Sequence, residues 1–231
     1  MIINLTDAKE KHPGFRCIAA ANASKYAANE YTCQAGLQAS YSHKADRDFD
    51  NEEWYLNHAI AVEKSLDYLK TNFKGISIYD AESVKIRQRV GKATLFGIPD
   101  IIGVKNNRLY VVDGKSGRAK PYHRYQVSLY ALMLLKQNIA SEIGEIFLGY
   151  YDPKLKLNNF NMVSLGGPEE IKEIWDKDSK EKLVNLANAI VSNQELEAKP
   201  SASNCQWCSW KNRCPVAFSE SEELLDVFAG F

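Results

Sequence analysis

Two runs decide the fold of this chain: Gly97-Ile98-Pro99-Asp100-Ile101-Ile102-Gly103 and Leu109-Tyr110-Val111-Val112-Asp113-Gly114-Lys115. Both are rich in Ile and Val, and the polar residues 105–108 separate them, which predicts a β-hairpin. Asp113 and Lys115 are two residues apart on the second strand and therefore point to the same face, and Asp100 can face them from the first strand. The sequence thus predicts that two carboxylates and an ammonium group converge.

This combination of groups suits phosphodiester hydrolysis. Mg²⁺ or Mn²⁺ binds proteins through one or two carboxylates and leaves positions open for water and a phosphate oxygen, which fits Asp100 and Asp113. Lys115 would orient or help deprotonate the attacking water and offset the charge that builds on the phosphate. An isolated Asp-x-Lys triplet is usually a surface pair. Here the apolar neighbours favour buried charges, which need paired or metal partners.

Composition sets the class of protein and leaves its partner open. The chain has 231 residues, 45% hydrophobic and 25% charged, as expected for one globular domain over 1–231. Its 29 basic and 29 acidic residues cancel, so only the local basic run at residues 115–124 indicates nucleic acid. No apolar stretch approaches the about 20 residues of a membrane span, and no secretory signal is present. We therefore expect a cytoplasmic protein without a membrane partner.

Three motifs together resemble a known family. Gly97-x-Pro-Asp, Asp113-x-Lys and Gln126-x-x-x-Tyr130 are similar to the RecB-like form of the PD-(D/E)XK nuclease core, over roughly residues 50–135. The resemblance implies a restriction-endonuclease-like α/β fold, a central mixed sheet flanked by helices, with its core at 54–163. It also implies that Gln126 bonds near the attacking water or the phosphate and that Tyr130 contacts DNA or supports the site. Asp113 stands where many members have Glu.

One histidine precedes the hairpin on a predicted helix. The apolar spacing of residues 54–72 is typical of a helix, and His58 lies on it. A lone helix histidine is usually structural or exposed. The resemblance implies instead that His58 is a further metal ligand, although Trp54 replaces the family's usual small residue. An imidazole ligand would favour Mn²⁺ over Mg²⁺.

The remaining elements follow from hydrophobic patterning and turn residues. A first core strand is predicted within residues 76–90 and a helix over 122–137. Two further strands are expected at 145–151 and 155–163, and a last helix from 168 to about 191. This order is compatible with an α/β nuclease core.

A cysteine motif lies near the end of the chain. Cys205, Cys208 and Cys214 form C-x₂-C-x₅-C, a strong signal for a metal site that lacks its fourth ligand. The resemblance implies that Cys33 supplies it, so that residues 23–42 and 195–218 join at a [4Fe-4S] cluster. Cys17 is the other candidate for the fourth ligand. Zinc is the alternative cofactor, because four cysteines suit it equally.

Together these features predict a metal-dependent DNA exonuclease that processes single-stranded DNA ends, with endonuclease activity as a further option. The resemblance is to CRISPR-associated exonucleases of spacer acquisition, whose implied partners are DNA and CRISPR integrase or other recombination proteins. Two alternatives stay open on the sequence. One is a catalytically silent DNA-binding or scaffold relative, and the other is a phage or host repair nuclease with a zinc site.

Overall fold

A computed structural model gives the structure of the chain in the following parts. It describes residues 2–3, 17–30, 33–42, 52–80, 84, 86–155, 158–192, 194, 196–206, 208 and 211–218.

Strands and helices alternate along most of this length. The strands are β1 (Ile2–Ile3), β2 (Cys17–Ala19), β3 (Ser77–Asp80), β4 (Ile86–Val90), β5 (Ala93–Gly97), β6 (Ile101–Lys105), β7 (Arg108–Ser116), β8 (Glu142–Tyr151), β9 (Phe160–Ser164) and β10 (Leu196–Glu197). The helices are α1 (Ala20–Ala27), α2 (Gln34–Ser42), α3 (Glu52–Asn72), α4 (Pro121–Lys136), α5 (Pro168–Ile174), α6 (Lys177–Val191) and α7 (Ala202–Gln206), followed by a 3₁₀ turn at Lys211–Arg213.

A mixed five-stranded sheet forms the centre, with the strand order β3-β6-β7-β8-β9. The hairpin strands β6 and β7 are antiparallel, and β7 and β8 are parallel because α4 crosses over between them. Val111 on β7 belongs to the core cluster that contains α4, and its neighbour Val112 to the cluster that contains Leu69 of α3. The central mixed sheet flanked by helices is therefore confirmed.

The hairpin turn has the chemistry that its polar sequence predicts. Asn106 and Asn107 have φ values of 50° and 62°, which a two-residue type I′ turn requires. Asn tolerates this left-handed conformation better than most residues. The turn fixes the register in which Ile101 lies opposite Val112. Asp100, just before β6, is thereby brought next to the end of β7.

A second sheet was not predicted. It has three strands in the order β2-β5-β4, with β2 and β5 parallel. The prediction that residues 97–103 form one strand was wrong: β5 ends at Gly97 and β6 begins at Ile101. Pro99 lies between them and has no N–H to donate to a ladder. The single strand expected within 76–90 was also wrong, because β3 belongs to the first sheet and β4 to the second, while residues 81–83 and 85 lie outside the described residues.

The helix predictions were mostly confirmed. α3 and α4 occupy the predicted segments, but the last predicted helix is divided at Trp175 and Asp176. Asp176 accepts a hydrogen bond from Ser179 N at 2.7 Å and so caps a new helix. The strand predicted at 155–163 begins at Phe160 rather than at residue 155. Among the described residues, no helix combines the length and apolarity that crossing a membrane requires.

Candidate active site

The residues predicted for the hairpin site line one cleft. Its volume is about 650 Å³, and it opens where β7 leaves the sheet. All six predicted side chains line it: His58, Asp100, Asp113, Lys115, Gln126 and Tyr130. They come from α3, the segment before β6, β7 and α4.

The two acids and the lysine meet as the hairpin register predicts. Asp100 Oδ2 accepts a hydrogen bond from Gly114 N at 2.7 Å, which ties the start of β6 to β7. Lys115 Nζ lies 2.5 Å from Asp113 Oδ2, on the same face of the strand. Asp113 is only 2% exposed. Two carboxylates and an ammonium group therefore share a largely buried site.

Burial and charge shift these groups in opposite directions. Burial raises the pKa of Asp113 to about 7, and the neighbouring Asp100 carboxylate adds to this while Lys115 opposes it. Burial also acts to raise the pKa of Asp100, but the hydrogen bond and charge of His58, together with Lys115, hold it below its usual value. Asp100 is therefore the more readily ionised carboxyl of the two.

His58 reaches this site because α3 packs closely on the sheet. A Cβ on Gly114 would lie 3.2 Å from the backbone N of Val62, so this glycine admits the helix backbone. One turn earlier, His58 Nε2 lies 3.3 Å from Asp100 Oδ1. The hydrogen bond to Asp100 raises the pKa of His58, against the effect of burial.

Gln126 and Tyr130 extend the site from α4. Lys115 Nζ donates to Gln126 Oε1 at 3.3 Å, and Gln126 Nε2 donates to the Tyr130 hydroxyl at 2.9 Å. Because an ammonium group only donates, it fixes which end of the amide faces it. Both α4 side chains are buried. The network therefore runs from Asp113 through Lys115 and Gln126 to Tyr130.

The cleft also contains charged residues that sequence reasoning missed or left unassigned. Lys25 and Glu30 come from α1 and the turn after it, and no local pattern marks them as site residues. Arg118 and Lys120 belong to the basic run that the sequence did indicate. Lys25 Nζ lies 5.2 Å from the centroid of the Tyr122 ring. Burial, followed by the charges of Lys120 and Lys115, lowers the pKa of Lys25.

His123 is a second buried imidazole on the cleft. Its Nδ1 accepts a hydrogen bond from Lys120 N at 3.3 Å and lies 3.1 Å from the Tyr150 hydroxyl. Burial and three nearby lysines lower its pKa to about 3. His123 is therefore neutral at physiological pH, with the proton on Nε2 because Nδ1 accepts.

The donor set fits a hard divalent ion. Within the parts of the chain that are described, no three His, Cys, Asp or Glu side chains already form a group that could hold a metal ion. Two carboxylates and an imidazole on one cleft are nevertheless ligands that Mn²⁺ and Mg²⁺ accept. Asp113 Oδ2 is buried, and the ammonium group of Lys115 balances its charge at 2.5 Å. A buried carboxylate oxygen is suited to bind a cation.

The four predicted cysteines line a second, small cavity. Cys33, Cys205, Cys208 and Cys214 surround a space of about 20 Å³ with apolar walls. Cys17 lies elsewhere, on β2 opposite Thr94 of β5.

Burial and neighbouring thiols disfavour a negative charge here. Burial raises the pKa of Cys214, the Cys33 and Cys205 thiols act in the same direction, and a backbone hydrogen bond at Val216 opposes them. Thiolates at this place would therefore need a bound cation. Residues 31–32, 195, 207, 209 and 210 of the two cysteine segments lie outside the described residues.

Comparison with known proteins finds solved structures and a family model that are similar to this chain. The crystal structure of SSO0001 superposes with a TM-score of 0.50 at 16% identity, covering 88% of each chain. The chain is also similar to an alkaline exonuclease, LHK-Exo from Laribacter hongkongensis, with a TM-score of 0.48 at 13% identity, and to the same exonuclease in complex with dAMP, with 0.49 at 11%. Both LHK-Exo matches cover 77% of this chain and 91% of the other. The family model of the PD-(D/E)XK nuclease superfamily matches residues 16–215, and the chain belongs to that superfamily.

Proposed function

We propose that this chain is a metal-dependent deoxyribonuclease that hydrolyses phosphodiester bonds. One observation carries the proposal: Asp100, Asp113 and Lys115 converge on a single cleft, with His58 beside them. Membership of a nuclease superfamily supports it. The burial of the Asp113 carboxyl supports it as well, because a buried carboxylate is costly unless it is paired or coordinates a metal.

Each of the six residues predicted for the site then has a role. Asp100, Asp113 and His58 would hold Mn²⁺ or Mg²⁺, which when bound polarises a phosphate oxygen and lowers the pKa of a water. Lys115 orients the attacking water and offsets the charge on the phosphate. The water oxygen bonds to phosphorus and gives up a proton to the solvent, the bond to the leaving sugar oxygen breaks, and that oxygen takes up a proton from the solvent. Gln126 keeps Lys115 in position, and Tyr130 keeps Gln126 in position.

The proposed substrate is DNA with single-stranded ends. We infer an exonuclease of the RecB-like type that works in the cytoplasm, in CRISPR spacer acquisition or in recombination and repair. Lys25, Arg118 and Lys120 on the cleft support a polyanionic substrate. The partners would be DNA and CRISPR integrase or other recombination proteins.

The cysteine cavity is proposed to hold a [4Fe-4S] cluster, with zinc as the alternative. The convergence of Cys33 with Cys205, Cys208 and Cys214 supports a four-cysteine centre. Residues 23–42 and 195–218 would then join around the nuclease core at 54–163, within one domain over 1–231. Such a centre closes a loop of most of the chain and would stabilise the fold chiefly for that reason.

Cleavage of labelled single-stranded DNA with Mn²⁺ or Mg²⁺ tests the nuclease. Asp113→Asn should reduce the rate about 10²-fold or more, because it removes the charge of a proposed metal ligand. Asp178→Asn, the same change on the exposed surface of α6, is the matched control and should keep the wild-type rate. If a folded Asp113→Asn variant cleaves DNA at the wild-type rate, the proposed site is refuted.

Metal analysis of anaerobically purified protein tests the cysteine centre. We expect iron with visible absorption, and Cys33→Ser should lose both. Cys17→Ser is the matched control and should keep them. A colourless protein that contains zinc would support the four-cysteine site, with zinc in place of the proposed cluster. Loss of metal in Cys17→Ser but not in Cys33→Ser would overturn the ligand set.

A further inference from the structure

Two exposed apolar side chains beside the carboxylates have no role in the chemistry above. Trp54 on α3 is 40% exposed and Ile98, between β5 and β6, is 39% exposed. Both line the same cleft as Asp100 and Asp113. Large apolar side chains exposed at a cleft are typical of ligand contacts.

The orientation of Trp54 is fixed relative to the proposed metal ligands. Its ring is nearly parallel to the ring of His58, with an interplanar angle of 10° and centroids 5.0 Å apart. His58 in turn contacts Asp100 at 3.3 Å. Tyr55 packs its ring against Trp54 at 5.1 Å, almost at right angles. The indole is therefore a braced aromatic surface next to the site.

The cations of the cleft come from other elements. Lys25 lies on α1, and Arg118 and Lys120 lie between β7 and α4. Lys120 and Lys115 are close enough to Lys25 for their charges to lower its pKa. The cleft therefore offers cations to phosphates from one set of elements, and an aromatic ring with an aliphatic neighbour from another.

A cleft that offers both cations and an aromatic ring can distinguish single strands from duplexes. A duplex presents phosphates outward and keeps its bases stacked on one another, so away from its ends it offers no base face to an indole. An unpaired strand offers both, and stacking on an aromatic ring tolerates any base. We propose that Trp54 is a stacking platform for an unpaired base next to the scissile phosphate, and that the cleft takes single-stranded DNA. The inference rests on the proposed function and assigns its substrate selectivity to one side chain.

Equilibrium binding in EDTA tests this without cleavage. Fluorescence anisotropy would compare a short single strand, an abasic strand of the same length and the matching duplex, each over a series of salt concentrations. Wild-type protein should bind the normal strand about 5- to 50-fold more tightly than the abasic strand. Trp54→Leu should lose most of this ratio, and Trp54→Phe should keep most of it.

Two controls separate base stacking from phosphate binding. Tyr79→Leu removes an aromatic ring of similar exposure, 44%, on β3, which is not among the described residues that line the cleft, and should keep the wild-type ratio. Lys120→Ala should weaken binding of both strands equally and reduce the salt slope by about 0.7, whereas Trp54→Leu should leave the slope unchanged.

The outcomes distinguish this inference from the proposed nuclease. A Trp54→Leu variant that keeps the base dependence overturns the stacking role, even if the protein cleaves DNA. Wild-type protein that binds the duplex or the abasic strand as tightly as the normal strand, or binds none of them, also overturns it. Base-dependent binding that Trp54→Leu abolishes supports the stacking role, and the separate cleavage assay decides whether the protein is a nuclease.

Discussion

Replacing Gly149 by Ala should disturb the packing of α3, the helix that carries His58, on the sheet. Gly149 lies on β8, and a Cβ there would be 1.9 Å from Ser65 Oγ on α3. Ser65 is fully buried, and its hydroxyl donates to Ala61 O at 2.7 Å. The variant must therefore either rotate Ser65 and break that hydrogen bond or move α3 away from the sheet.

Both routes have a measurable cost. Overpacking a core costs about 1–3 kcal/mol, and a buried hydroxyl without a partner about 1–3 kcal/mol. We expect Gly149→Ala to lower the free energy of unfolding by about 1–3 kcal/mol, measured by urea denaturation in EDTA. A shift of α3 would also separate His58 from Asp100, so the rate of metal-dependent DNA cleavage should fall with stability.

A second substitution tests the cause. Without the Ser65 hydroxyl, the nearest contact of the new Cβ is Ser65 Cβ at 3.2 Å, which a shift of a few tenths of an ångström relieves. Ser65→Ala alone should cost about 1 kcal/mol or less, because only one hydrogen bond is lost. Combined with Gly149→Ala, it should restore about 1–3 kcal/mol as a coupling energy. Strictly additive effects would refute the described packing of α3 on β8.

Three further changes test other parts of the structure. Asn107→Gly should leave the free energy of unfolding unchanged or raise it, whereas Asn107→Val should lower it by about 1–2 kcal/mol, because its φ is 62°; urea denaturation would measure both. His123 has a pKa near 3, below its unfolded value, so the native state binds fewer protons and loses stability as pH falls below about 6.5. His123→Gln should make the free energy of unfolding less dependent on pH in this range. An NMR titration in which the His123 signals of the native protein shift with a midpoint near pH 6.5 would contradict the prediction. Trp175→Phe should lower the free energy of unfolding by about 1–3 kcal/mol, because the buried indole N–H donates to Ser128 Oγ at 2.8 Å; full stability would contradict the bond.

The hairpin could be predicted because its determinants are local. Alternation places Asp113 and Lys115 on one face, and the Asn-Asn turn sets the register that brings in Asp100. The helical spacing of Gln126 and Tyr130 is local as well. These features depend on neighbours within a few residues, and the sequence displays them directly.

The second sheet and the basic residues of α1 could not be predicted in this way. β5 pairs with β2, a strand from the start of the chain, and three residues without alternation do not indicate a strand. Lys25 reaches the cleft only because α1 packs on α4. Pro99 could have indicated the break between β5 and β6, since it cannot donate to a ladder.

Two glycines allow α3 to pack closely on the sheet next to the hairpin. Gly114 and Gly149 are register partners on the parallel strands β7 and β8, and a Cβ on either would meet α3. The missing side chains form a slot that lets the backbone near Val62 approach the sheet. Because side chains alternate along β7, the residues on either side of Gly114 point away from the slot, and these are Asp113 and Lys115. The Asp113-Gly114-Lys115 triplet therefore places the proposed reacting groups on one face of β7. On the other face, Gly114 makes the contact with α3, the helix that carries His58.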